Sequence, residues 1–216
     1  MSMRRMTMLR WLGHSSFLIE TSREAWLTDP FAPSVGYPIP KVAPTVVSMS
    51  HDHYDHADES WLDPAVPRVR DGASWEGEDL KLFPVASFHD QTGGAERGTN
   101  FIYIGETQDL RIVHLGDLGH VLQEEHVKKI GKVDILLLPV GGTYTIGPCE
   151  AWQVVEALGP SVVIPMHYQT EHLTFPLASL QEFLQEKPHL WTVEEKKSLK
   201  FGKKLAQGRI VVLKYS

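Results

Sequence analysis

The run His51-Asp52-His53-Tyr54-Asp55-His56 constrains this chain more than any other stretch. Three imidazoles and two carboxylates in six residues make a poor core, because each ring carries polar atoms that need partners once buried. Just before it, Thr45 to Met49 is β-branched and apolar and reads as a buried strand, with Pro44 marking its start. The histidines therefore sit where a strand runs out into a loop. Residues two apart in extended chain point the same way, so His51 and His53 can present their rings to one point, and a turn at Tyr54 would send Asp55 and His56 to a neighbouring one. That arrangement suits two adjacent metal ions, and the spacing is far more restrictive than a lone histidine pair.

The rest of the chain sets the frame. Its 216 residues, 42% hydrophobic and 22% charged, fit one globular domain spanning 1–216. The formal net charge is −6, and the basic residues gather only in doublets such as Arg4-Arg5, Lys128-Lys129, Lys196-Lys197 and Lys203-Lys204, which argues against nucleic acid as a partner. No signal-peptide core follows Met1 to Arg10, and the longest apolar run, Ile135 to Leu138, is too short to span a bilayer. A cytoplasmic protein acting on a small molecule, without a membrane partner and with homo-oligomerisation left open, is the expectation. The single cysteine, Cys149, rules out an internal disulfide; it lies in a helix's first turn and is read as packing.

Taken in order, Met8 to Leu12, Ser16 to Thr21 and Ala25 to Thr28 read as strands, the first two split by Gly13-His14-Ser15 and the third ended by Asp29-Pro30. His14 can be a turn histidine bonded to backbone or a polar residue lining a site. Residues 30–44 hold five prolines and apolar side chains, which suits an irregular loop walling a pocket. Asp58 to Leu62 resembles one helical turn, Arg68 to Arg70 a short strand, and Leu80 to Val85 another that leads to His89. His89 taken alone would be structural. Phe101 to Ile104 and Leu110 to His114 make a hairpin that delivers Gly116-Asp117 to a strand end, where the carboxylate can cap a turn or bridge two cations. Val121 to Ile130 has helical spacing, and Val133 to Leu138 reads as a central strand buried on both faces. Pro148 to Leu158 is a helix, Ser161 to Pro165 a strand ending at His167, Leu177 to Glu186 a helix and Arg209 to Leu213 a closing strand.

His51, His53, Asp55, His56, His89, Asp117 and His167 thus each fall at or just beyond a strand end, where open sheets flanked by helices gather their ligands. With Gly13-His14-Ser15, Phe88-His89-Asp90, His114-Leu115-Gly116-Asp117, Pro139-Val140-Gly141-Gly142-Thr143 and Ile164-Pro165-Met166-His167-Tyr168, these motifs resemble, over nearly the full length, the metallo-β-lactamase-fold hydrolases. Within them, the chain looks most like the small bacterial metal-dependent hydrolases related to ascorbate-6-phosphate lactonase. The resemblance implies an α/β fold of the αβ/βα sandwich type, four layers with helices outside two facing sheets. It implies that His51, His53 and His89 hold one divalent metal, that Asp55, His56 and His167 hold a second, and that Asp117 bridges them. Zinc leads, with manganese or iron also suited to such donors. The implied activity is hydrolysis of an ester, lactone or phosphodiester by a metal-bridging hydroxide, with Asp55 orienting the nucleophile and carrying its proton. His14, Tyr144 and Tyr168 are candidates for substrate contact or proton donation. The same fold can also hold a di-iron redox site or a metal-binding sensor without turnover. The redox relatives carry a flavin domain and a glutamate ligand, for which this chain has neither the length nor an H-x-E at residue 51.

Overall fold

A computed structural model describes residues 7–107, 109–201 and 205–215. The basic doublets Arg4-Arg5 and Lys203-Lys204 lie outside the described residues.

Two sheets face each other. The first is built from β1 (Thr7–Gly13), β2 (Ser16–Glu20), β3 (Ala25–Thr28), β4 (Val46–Ser48), β5 (Arg68–Val69) and β13 (Leu199–Phe201), in the order β13-β1-β2-β3-β4-β5. The second takes β6 (Trp75–Glu76), β7 (Leu80–Phe88), β8 (Thr99–Thr107), β9 (Arg111–His114), β10 (Ile135–Pro139), β11 (Val162–Met166), β12 (Thr192–Lys196) and β14 (Arg209–Leu213), in the order β12-β14-β11-β10-β9-β8-β7-β6. Helices α1 (Glu124–Ile130), α2 (Pro148–Leu158) and α3 (Leu180–Gln185) occupy the later part of the chain. The mixed α/β fold with two sheets is the one expected.

Period-two alternation explains the packing of the first sheet. Leu9, Trp11, Phe17, Ile19, Trp26 and Val46 join the large core shared with the second sheet. Leu18, Leu27 and Val47 point the other way, into a smaller core closed by Leu62 with Trp61 and Val66 against it. Segment 57–66 therefore covers the outer face, but without the helical turn expected over Asp58–Leu62. The carboxylates of Asp58 and Asp63 accept hydrogen bonds from the backbone N–H of Ser60 and Ala65, and such local bonds compete with a helix. In the second sheet β10 is buried throughout and pairs parallel to both β9 and β11. Burial on both faces is why it reads as an unbroken apolar run. Helix α2 turns Ala151, Val154, Val155 and Leu158 inward at helical spacing, opens on Pro148 and stops at Gly159 in the left-handed region. Full burial of each such valine or leucine is worth about 1.5–3 kcal/mol.

Strands β6, β12 and β13 were not anticipated. They lie at sheet edges; β6 and β12 are largely solvent-facing and their short polar sequences carry no alternation to read, and β13 alternates over only three residues. Among the described residues, no helix is long and apolar enough to cross a membrane.

Candidate metal centre

The β1–β2 turn, the ends of β3 and β4, and the ends of β7, β9 and β11 come together where the two sheets open. The amide N–H of Phe101 donates to Ser50 O at 2.8 Å and ties the sheets at this rim.

Asp29, fully buried at the end of β3, organises the loop after β4. Its φ of 39° puts it in the left-handed region, and its carboxylate accepts from the Ser50 N–H (2.8 Å), the Ser50 hydroxyl (2.6 Å) and His56 Nδ1 (2.8 Å). These bonds fix tautomers. Ser50 has one hydroxyl proton and gives it to Asp29, so its oxygen accepts from His51 Nδ1 at 2.9 Å. Both rings then carry a proton on Nδ1 and turn Nε2 inward. His51 Nε2 and His56 Nε2 are buried without a hydrogen-bond partner, as is Asp117 Oδ1.

Asp117 stands at the centre. Its Oδ1 lies 3.2 Å from His56 Nε2, and its Oδ2 lies 3.2 Å from His167 Nε2, 3.4 Å from His89 Nε2 and 4.0 Å from His51 Nε2. Asn100 holds it there, accepting from the Asp117 N–H at 2.9 Å while donating to Leu115 O at 2.9 Å. The preceding Gly116 is required: its φ is +56°, and a Cβ there would lie 2.3 Å from Asn100 Oδ1 and 2.5 Å from Ser50 Cβ. His114 is structural, donating to Ser15 O at 2.8 Å and accepting from the Gly116 N–H at 3.1 Å, so it links β9 to the β1–β2 turn.

The expected residues fall into two groups. His51, His53 and His89 can converge on one ion; Asp55, His56 and His167 form a second set, which His14 joins. His14 Nε2 lies 3.2 Å from Asp55 Oδ2, and its ring centroid is 4.3 Å from that of His167. Tyr168 is elsewhere: it is buried, stacks on Trp11 at 5.5 Å and has Tyr37 and Glu195 as electrostatic neighbours. Tyr144 is exposed and packs against Phe175. The positioning residues Asp29, Ser50 and Asn100 are the ones sequence reasoning missed. For Asp29 the Asp-Pro pair at a strand end was a usable signal; Ser50 and Asn100 carry none.

Electrostatics favour a cation between these groups. Burial, then the neighbouring His167, lowers His14 to about 4; burial and His56 lower His51, and burial lowers His89. Neutral imidazole is the form that ligates. Burial opposes charge on His56 too, but Asp117 and Asp55 outweigh it and raise its affinity for a proton well above normal. Burial likewise opposes ionisation of Asp117, yet His167 and His56 hold its carboxyl well below the usual range. Neutral His14, His51 and His89 beside an ionised and fully buried carboxylate, which draws a positive charge even onto His56, are the donor set of a divalent metal site. The residues fit the group.

Comparison with known proteins bears on the same region. A family model described as a β-lactamase superfamily domain matches residues 8–167. A UPF0173 metal-dependent hydrolase of Pyrobaculum arsenaticum is 28% identical over 200 residues, covering 78% of this chain and 85% of its own. Its counterpart in Korarchaeum cryptofilum is 31% identical over 192 residues, covering 76% and 84%. The crystal structure of a Zn-dependent-hydrolase candidate of the metallo-β-lactamase superfamily from Thermotoga maritima matches with a TM-score of 0.76 at 34% identity, covering 96% of this chain and 98% of that one.

Proposed function

The chain belongs to the β-lactamase superfamily and is a metal-dependent hydrolase, and on that premise we propose that it uses two divalent cations to cleave an ester, lactone or phosphodiester in a small molecule. His51, His53 and His89 would hold one cation, Asp55, His56 and His167 the other, and Asp117 would reach both. Zinc is the first choice, by analogy with the Thermotoga maritima relative, and manganese or iron suit the same donors. The lactone in the substrate set comes from the resemblance to ascorbate-6-phosphate lactonase, which the matches above do not single out. The observation that carries the reading is Asp117, ringed by the Nε2 atoms of His51, His56, His89 and His167 in a buried site.

When bound, such a metal pair supplies a water acidic enough to give hydroxide near neutral pH and polarises the carbonyl or phosphoryl under attack. The chain's own residues do the rest. Asp55, held below the normal carboxylate range chiefly by His56 against the effect of burial, stays ionised and can take the nucleophile's proton on Oδ2. His14, neutral at physiological pH, donates to that oxygen and fixes its direction; its roof is the edge of Phe175, with ring centroids 5.6 Å apart. Asp29 and Ser50 keep His51 and His56 in the ligating tautomer. Asn100 keeps the Asp117 backbone in place.

Metal analysis of purified protein, joined to assays with lactones, carboxylic esters and phosphodiesters, tests this. Close to two metal equivalents and turnover abolished in Asp117→Ala are expected. Turnover that survives both chelation and Asp117→Ala would overturn the reading, and oxygen consumption with an added electron donor would replace it with a redox one.

A further inference from the structure

Two guanidinium groups flank the centre, and they are not equivalent. Arg70 lines a cavity of ≈ 150 Å³ beside His51, and three carboxylates already surround it: Glu59 at 3.0 Å, Asp52 at 3.4 Å and Asp71 at 3.4 Å. That guanidinium has no positive charge to spare for an anion. Arg97, on the other flank, pairs its guanidinium with one carboxylate among the described residues, Glu96 at 4.0 Å, and lies over the Tyr144 ring at 5.7 Å.

Arg97 is held at its backbone by Asp90, while its side chain meets the Tyr144 ring and pairs loosely with Glu96. The Asp90 carboxylate, one residue beyond His89, accepts from the N–H groups of Thr92 (2.9 Å), Gly94 (2.7 Å), Glu96 (3.0 Å) and Arg97 (2.8 Å). From Arg97 a continuous path of contacts runs to the reacting groups. Tyr144 meets Phe175 at 6.3 Å, the Phe175 ring meets His14 at 5.6 Å, and His14 bonds Asp55 at 3.2 Å. Tyr54 stands beside Asp55, 56% exposed, with Tyr144 among its electrostatic neighbours. Four loops thus supply three aromatic side chains and one loosely paired cation on the Asp55 side of the centre.

From this we infer that Arg97, Tyr144, Phe175 and Tyr54 form the specificity wall of the enzyme, selecting substrates that carry an anionic group on a flat ring. The ring lies along the aromatic side chains and the anion meets Arg97, whose planar fork suits carboxylate, sulfonate or phosphate oxygens. This substrate class rests on the hydrolase reading above. A loosely paired guanidinium in a chain of net charge −6, on the flank of the proposed metal pair, also draws anions toward the mouth.

Benzenesulfonate and methyl phenyl sulfone make a suitable pair of probes, since they share a ring and differ in charge, and sulfonate is a weak metal ligand. Their affinities for metal-loaded wild type, Arg97→Ala, Arg97→Lys and Tyr144→Ala can be read by NMR titration. Wild type should prefer the sulfonate. Arg97→Ala should lose about tenfold for the sulfonate and little for the sulfone, with partial recovery in Arg97→Lys. Tyr144→Ala should weaken both. An Arg97→Ala protein with an unchanged sulfonate-to-sulfone ratio overturns the wall, whatever the turnover. A wall confirmed by binding in a protein that hydrolyses nothing overturns the hydrolase reading instead.

Discussion

The two halves of the site are built differently. His14, His56 and His167 are fully buried beside Asp29 and Asp55, and carboxylates brace them: Asp29 on His56 at 2.8 Å, Asp55 on His14 at 3.2 Å. In the other half His53 is exposed, and no side-chain hydrogen bond among the described residues fixes its ring; His51 and His89 are buried around it. A braced and desolvated donor set loses little freedom on binding a cation, whereas an exposed imidazole must be immobilised first. The buried half should anchor the centre and the open half should exchange. His56→Ala therefore is expected to lose both metal equivalents and all turnover, while His53→Ala retains about one equivalent and a trace of turnover. Metal content per chain measures this, with thermal unfolding of the metal-free proteins as the check on folding. Equal loss in both variants would break the contrast.

The same contrast shows what the sequence made visible. Candidate ligands stood out because histidine and aspartate at successive strand ends are costly unless they are used, and His51, His53, Asp55, His56, His89, Asp117 and His167 fall into neighbouring groups that could hold a metal ion. Asp29 did not stand out: one carboxylate after a strand looks like a turn residue, and only the folded chain shows it touching both Ser50 and His56. Strands with a buried face, such as β3 and β14, were legible nearly to the residue, since burial imposes a pattern. Edge strands such as β12 impose none. Tyr168 follows His167 in sequence, but β11 ends at Met166 and His167 takes a left-handed φ of 50°, and the Tyr168 ring stacks on Trp11 instead.

The bracing itself can be weakened without touching a ligand. Asp29→Asn keeps the size of the side chain but replaces an ionised acceptor with a neutral amide, so the Nδ1–H of His56 loses its charged partner. Metal affinity of the His56 half is expected to fall roughly 10–100-fold, the usual consequence of removing a bond that orients a ligand. Competition with a chromogenic chelator measures it. Ser50→Ala, which removes the bond to His51, should act on the other half and more weakly, because the lost partner is a neutral hydroxyl. If Asp29→Asn weakened both ions alike, Asp29 would be bracing the whole centre rather than its buried half.

The smallest effect concerns the open half and pH. Asp90 follows His89 and its carboxylate gathers the N–H groups of residues 92–97. Desolvation raises its pKa, but the N–H groups of Arg97 and Gly94 and the Thr92 hydroxyl outweigh it and hold the carboxyl well below the usual range. A depressed carboxyl contributes order that is fully present above its unfolded value, about 4, and is lost as pH falls toward the folded one. The loop is therefore expected to loosen below about pH 4 and to be indifferent to pH from 5 to 8. Hydrogen exchange at Gly94, Glu96 and Arg97 measures this directly, and Asp90→Asn should exchange faster at neutral pH and lose the acid dependence. Loosening that persists in the acid range of Asp90→Asn would assign it to another carboxylate. Because Arg97 rides on this loop while His14 and Asp55 do not, the variant should weaken recognition of an anion before it touches the buried half.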